Sequence, residues 1–185
     1  MGIGVEVMRP AVFLDRDGVI SRPTLRGRRP YPPRSLAELE ILPDVPVALR
    51  ALKAAGYCLV VVTNQPDIAR GVVSRRVVDD INDCLTAVLP LDAILTCAHD
   101  DADRCQCRKP LPGLITHAAL ELRLECAASY MIGDRWRDIE AGRRAGCKTF
   151  FIDCGYDEQI PQSYDFRVSS LLEAARIILQ ADILS

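Results

Sequence analysis

The chain has 185 residues, 49% of them hydrophobic and 26% charged, with a net charge of -2 and a pI near 5.7. That length and mixture suit one domain, residues 1–185, with a sizeable core; the slight acidity argues against a general nucleic-acid binder, and no apolar run is long enough to span a bilayer. Residues 1–7 lack the basic stretch and long apolar segment of a secretion signal, so the eight cysteines are expected to be reduced, in the cytoplasm, with Met8 an alternative start.

Strand-like and helix-like segments alternate along the chain. Residues 11–15 read as a buried strand, followed by Asp15-Arg16-Asp17-Gly18 where the chain turns away. Residues 21–38 are rich in Arg and Pro and read as irregular, with a flap over 21–36. A helix over 44–55 carries apolar positions at Val45, Ala48, Leu49 and Leu52, with Asp44 as cap and Gly56 as stop. Residues 58–63 form a β-branched strand and 74–88 a helix capped by Ser74. Strands follow at 93–97, 129–133 and 148–153, and helices at 113–124, 136–145 and 170–181. Alternating β and α with continuous apolar strands implies an α/β fold, a doubly wound parallel sheet covered on both faces. Ligands of such sheets bind beyond the carboxyl ends of the strands, and there the polar motifs fall.

Four motifs follow in order. Asp15 and Asp17 can divide labour, one attacking phosphorus and one handling the proton of the leaving oxygen and then of water. Thr63 ends the second strand, where its hydroxyl, with Asn64 and Gln65, can hold a phosphate oxygen. Lys109 precedes Pro110 and Pro112, which predicts a stiff extended segment presenting a fixed ammonium to Asp15 and a transferring phosphoryl group. Asp134 ends the fourth strand and suits a hard cation beside Asp15, with Mg2+ the natural candidate; Asp138, one helical turn on, is expected to orient Lys109 or water.

Asp-x-Asp-Gly-Val, a strand-final Thr, Lys-Pro-x-Pro-Gly and Gly-Asp-x-x-x-Asp in this order resemble the motifs of the haloacid dehalogenase superfamily, over nearly the whole chain. The second Asp is what its phosphatases carry. The resemblance implies a Rossmann-like, essentially capless fold and a Mg2+-dependent mechanism through an aspartyl-phosphate, with Asp15, Asp17 and Asp134 as metal ligands and Asn64, Gln65, Arg108 and Arg135 at the substrate.

Cys97-Ala98-His99 and Cys105-Gln106-Cys107 place three thiols and an imidazole within eleven residues, a closed set suited to structural Zn2+ over 97–107. Such a metal would order the loop that leads into Arg108 and Lys109, and the Arg108 fork would suit a second phosphate. The loop is similar to those of D-glycero-D-manno-heptose-1,7-bisphosphate 7-phosphatases and histidinol-phosphate phosphatases. Ser21 where the heptose enzymes usually have Asn, Asn64-Gln65-Pro66-Asp67 for their Asn-Gln-Ser-Gly, Cys-Ala-His for Cys-Pro-His and a shorter loop are departures. The expected enzyme is a monomeric phosphatase of a small phosphorylated sugar, at C7 of a heptose 1,7-bisphosphate, with no nucleic-acid or membrane partner. Histidinol phosphate, a polynucleotide 3′-phosphate, and a non-catalytic zinc-loop module are the alternatives.

Overall fold

The computed structural model describes residues 8–183, so the stretch examined for a secretion signal lies outside the described residues. In chain order the elements are β1 (Ala11–Leu14), β2 (Thr24–Arg26), β3 (Arg29–Tyr31), α1 (Val45–Ala54), β4 (Cys58–Asn64), α2 (Arg75–Val88), β5 (Ala93–Cys97), α3 (Gly113–Leu122), β6 (Tyr130–Gly133), α4 (Trp136–Ala145), β7 (Lys148–Ile152), β8 (Phe166–Val168) and α5 (Leu171–Ile183).

β1 has no polar side chain, and all four of its residues are buried. A strand so composed has to be paired on both edges and covered on both faces. It is paired with β4 on one edge and β6 on the other, both parallel, in a six-stranded sheet of order β5-β4-β1-β6-β7-β8. Strand alternation then divides the core. Val12 and Leu14 join the apolar stripes of α1, α2 and α5 on one face; Ala11 and Phe13 join Leu114, Ile115 and Ala118 of α3 and Ala141 of α4 on the other. The chain leaves β1 toward β4 and β5, then returns to β6 and the opposite edge, so the carboxyl ends of β1, β4 and β6 lie side by side at the centre, where the strand order reverses.

The helix signals act locally much as the sequence implies. Ser74 Oγ accepts from Val77 N at 3.3 Å, and Gly146 closes α4 at φ 87°. Asp44 stands at the start of α1 but does not cap it; its carboxylate accepts from Leu172 N at 3.4 Å and ties α1 to α5. Two features depart from the sequence reading. The Arg/Pro-rich stretch contains an antiparallel hairpin, β2–β3, whose two-residue turn begins at Gly27 with φ 66°. A short edge strand, β8, pairs parallel to β7, and its Phe166 stacks on Phe150 at 4.5 Å. Among the described residues no helix is long and apolar enough to cross a membrane.

Phe13 is wholly buried between the sheet and α3. Phe13→Ala should cost about 3–5 kcal/mol of unfolding free energy, read as a lowered urea midpoint.

Candidate active site

Two glycines allow the strand ends to converge. Gly18 has φ 102°, and a Cβ there would stand 1.8 Å from Asp134 Oδ2, so the turn after β1 lays bare backbone against that carboxylate. A Cβ at Gly133 would stand 2.1 Å from Asp138 Cβ, so α4 closes directly on the end of β6.

Lys109 occupies the centre. Its ammonium donates to Asp15 Oδ1 at 2.6 Å and Val62 O at 2.7 Å and meets Asp138 Oδ1 at 2.6 Å. Three N–H groups meet three acceptors, and the side chain is buried. Burial alone would lower its pKa, but the Asp138 and Asp15 charges outweigh it, so the lysine is held above its ordinary value and stays charged. Asn64 fixes the backbone behind it: its amide donates to Lys109 O at 3.0 Å and accepts from Lys109 N at 3.1 Å. The segment beyond turns instead of running extended: the Lys109–Pro110 bond is cis, and Leu111 N donates to Arg108 O at 2.9 Å.

Asp15, Asp134 and Asp138 offer oxygens that all lie within 4.8 Å of one another. Both oxygens of Asp134 are buried with no hydrogen bond of good geometry, although the Tyr156 phenol lies beside them. Burial first, then the charges of Asp15 and Asp138, raise the Asp134 carboxyl well above the usual range. Burial likewise pushes Asp15 up to about 6; Lys109 pulls it down, while Asp138 and Asp17 add to the rise. Asp15 and Asp138 share one ammonium, while the third buried acid, Asp134, has no hydrogen bond of good geometry. Such an all-oxygen set suits a hard divalent cation.

The Asp17 carboxylate is absent from this trio, where the sequence reading placed it among the metal ligands; Asp138 stands there in its place. Asp17 is drawn aside by donors. Arg16 reaches it through Nε at 3.1 Å and Nη2 at 3.0 Å, Ser21 Oγ at 2.9 Å and Gln65 Nε2 at 2.7 Å. Gln65 also donates to Thr63 Oγ1 at 2.9 Å, and both residues are buried beneath Asp17 rather than open to the crevice.

A cavity of about 220 Å3 opens above Asp15, Asp17, Lys109 and Asp138. Asn64 and Arg135 line it, as do Arg29, Arg70 and Arg137 and the flap residues Pro30 and Tyr31. Most of these arginines already hold a carboxylate: Arg70 grips Asp100 at 2.7 and 2.8 Å, Arg135 grips Glu158 at 2.7 and 2.5 Å, and Arg137 meets Asp101 at 3.3 Å. Among the described residues Arg29 has no carboxylate within ion-pair distance. The hairpin that carries it is tied down at its turn, where Arg28 donates to Gly155 O at 2.7 Å and accepts at its carbonyl from Asp157 N at 3.0 Å. Arg108 does not line this cavity. Asp101 captures its Nε at 2.8 Å, and it borders a separate space of about 140 Å3 with Arg104 and Arg137.

Cys97, His99, Cys105 and Cys107 converge beside the site. Their sulfur–sulfur separations are 3.2, 3.5 and 3.8 Å, and His99 Nδ1 lies 3.3 Å from Cys107 Sγ. A tetrahedron with metal–sulfur bonds of about 2.3 Å has edges of about 3.8 Å, so the four donors fit a single ion after slight expansion. The return from His99 to Cys105 is shaped by a turn in which Asp100 N donates to Asp103 Oδ2 at 2.7 Å and Arg104 adopts φ 47°.

Arg16, Asn82, Arg70, Arg137 and Glu158 escaped the sequence reading. Arg16, Arg70 and Arg137 stand inside segments singled out there, but with no role assigned to them; Glu158 lies in a loop with no motif.

Comparison with known proteins agrees with this geometry. Residues 28–146 match the sequence model of the haloacid dehalogenase-like hydrolases. The D-glycero-beta-D-manno-heptose-1,7-bisphosphate 7-phosphatase of Yersinia pestis is 36% identical over 152 residues, 76% of this chain and 78% of that protein. The D-glycero-D-manno-heptose-1,7-bisphosphate 7-phosphatase of Chlorobaculum tepidum is 34% identical over 165 residues, 80% of each. The crystal structure of D,D-heptose 1,7-bisphosphate phosphatase from B. bronchiseptica, complexed with magnesium and phosphate, superposes with a TM-score of 0.80 at 29% identity, covering 93% of this chain and 99% of that one. This chain belongs to the haloacid dehalogenase-like hydrolase family, and within it to the phosphatases.

Proposed function

We propose that the chain is a Mg2+-dependent phosphomonoesterase acting through an aspartyl-phosphate on Asp15, with structural Zn2+, and that it removes the C7 phosphate of D-glycero-D-manno-heptose 1,7-bisphosphate. The observation that carries the reading is Asp15 fixed by Lys109, beside the unsatisfied Asp134, with Asp17 on the same cavity wall.

An oxygen of the Asp15 carboxylate bonds to phosphorus while the ester P–O bond breaks, and Asp17 delivers a proton to the leaving sugar oxygen. Asp17 then takes a proton from water as the water oxygen attacks phosphorus, which frees inorganic phosphate and restores Asp15. Lys109 holds Asp15 in place and offsets the negative charge gathered there. Asp15 and Asp134, with Asp138 alongside, are the residues that would hold Mg2+, which supplies positive charge to the phosphoryl oxygens when bound. The uncompensated Arg29 on the flap suits a substrate with a second anionic group, and the relatives' names supply the heptose.

Phosphate release should be fastest on the heptose bisphosphate when histidinol phosphate and a 3′-phosphorylated DNA oligonucleotide are compared with it. Asp15→Asn should lower kcat by about four orders of magnitude or more with the fold intact by circular dichroism. A higher kcat/KM on either competitor reassigns the substrate; an active Asp15→Asn protein removes the nucleophile.

Mg2+ binding needs ionised carboxylates, so protons compete with it. The raised Asp15 carboxyl contributes stability to the metal-free protein below about pH 4 and loses it as pH rises through about 6. Mg2+ relieves that repulsion, so the Tm increase on adding it should be larger at pH 7.5 than at pH 5. Equal shifts at both pH values contradict the site.

The purified protein should hold one zinc per chain by elemental analysis. Chelation should raise hydrogen exchange across residues 97–107 and lower kcat, since Lys109 follows directly. Full activity in protein that never carries zinc would rule the metal out.

A further inference from the structure

Arg16 is among the largest wholly buried side chains of the molecule, and nothing in the reaction described above uses it. A guanidinium shut away from water carries a large desolvation cost, which only well-aligned partners offset. Its partners are specific. Nε and Nη2 form a fork on the Asp17 carboxylate at 3.0 to 3.2 Å, and Nη1 donates to Asn82 Oδ1 at 2.9 Å. Asn82, on α2, is itself oriented by its bond to Thr96 Oγ1 on β5 at 3.1 Å. A chain of side chains therefore runs from the sheet through a helix to the acid–base residue.

The ring around Asp17 also has a direction. Arg16 can only donate, and Ser21 Oγ and Gln65 Nε2 donate to the same carboxylate. Together these bonds fix the place of the carboxyl group on the cavity wall.

We propose that Arg16, anchored by Asn82, is the positioning residue for Asp17: it fixes the carboxyl group on the cavity wall, where it serves the step in which water cleaves the aspartyl-phosphate. The proposal rests on the phosphatase reading above. In the step concerned a water O–H proton passes to Asp17, the water oxygen bonds to phosphorus, and the P–O bond to Asp15 breaks, so no other reactant is required.

The test is rapid-quench kinetics of the full chain with p-nitrophenyl phosphate, whose leaving group needs no proton and so isolates the second half. Arg16→Met should lower kcat at least tenfold while kcat/KM, which reports formation of the phosphoenzyme, falls less than threefold. A burst of p-nitrophenolate close to one per chain should appear, and acid-quenched phosphoenzyme should accumulate. Asn82→Ala should show the same split with kcat lowered at least threefold, and it carries the test if Arg16→Met does not fold. Adding Arg16→Met or Asn82→Ala to Asp17→Asn should cost nothing further in kcat, since both act through Asp17. Parallel falls in kcat and kcat/KM, unchanged kinetics, or full additivity with Asp17→Asn would each overturn the proposal. A wild-type protein inert toward p-nitrophenyl phosphate and the sugar bisphosphate overturns the phosphatase reading and, with it, this one.

Discussion

One buried ammonium holds the centre of the molecule together. Lys109 bridges a carboxylate from the end of β1, a carboxylate from the first turn of α4 and a carbonyl of β4. Three separate segments thus share a single positive charge, in a place where water cannot screen them from one another. The cluster still carries more negative charge than the lysine can offset, and Asp134 remains without a hydrogen bond of good geometry. Incomplete compensation of this kind is a poor way to stabilise a fold and an effective way to recruit a cation together with a phosphate, since each supplies the charge the other needs.

The sheet makes this convergence possible. Because β1 is flanked by β4 and β6, residues far apart in sequence leave the sheet at neighbouring points. The two glycines remove the side chains that would otherwise hold those ends apart. Asn64 grips the lysine backbone at both its donor and its acceptor, so the loop that delivers Lys109 is located by β4 as well as by its own cysteine cluster.

Much of this was legible in the sequence, for physical reasons that can be named. Uncharged runs such as Ala11–Leu14 and the β-branched run of β4 demand burial on both faces, and that demand alone implies a parallel doubly wound sheet. Asp15 and Asp134 could be singled out because each stands where such a run ends, and Lys109 because it precedes Pro110 and Pro112. What stayed hidden depends on side-chain direction. Arg108 adjoins Lys109 in sequence, yet Asp101 turns it toward another space; Asp17 lies two residues from Asp15, yet the Arg16 fork draws its carboxylate out of the acid trio. The hairpin and β8 were hidden because three-residue strands carry too little alternation to register, and their pairing comes from a glycine turn in one case and an aromatic stack in the other.

The acidic residues of the cysteine–histidine loop do more than decorate it. Asp100 and Asp101 reach back to hold Arg70 and Arg137, two of the guanidinium groups at the cavity mouth. The bond-breaking apparatus below owes nothing to those contacts. Asp100 and Asp101 make none of the contacts of Lys109, so changes at these two acids would reorient the cations at the cavity mouth, whereas the cysteines and histidine of the same loop govern the segment that delivers Lys109.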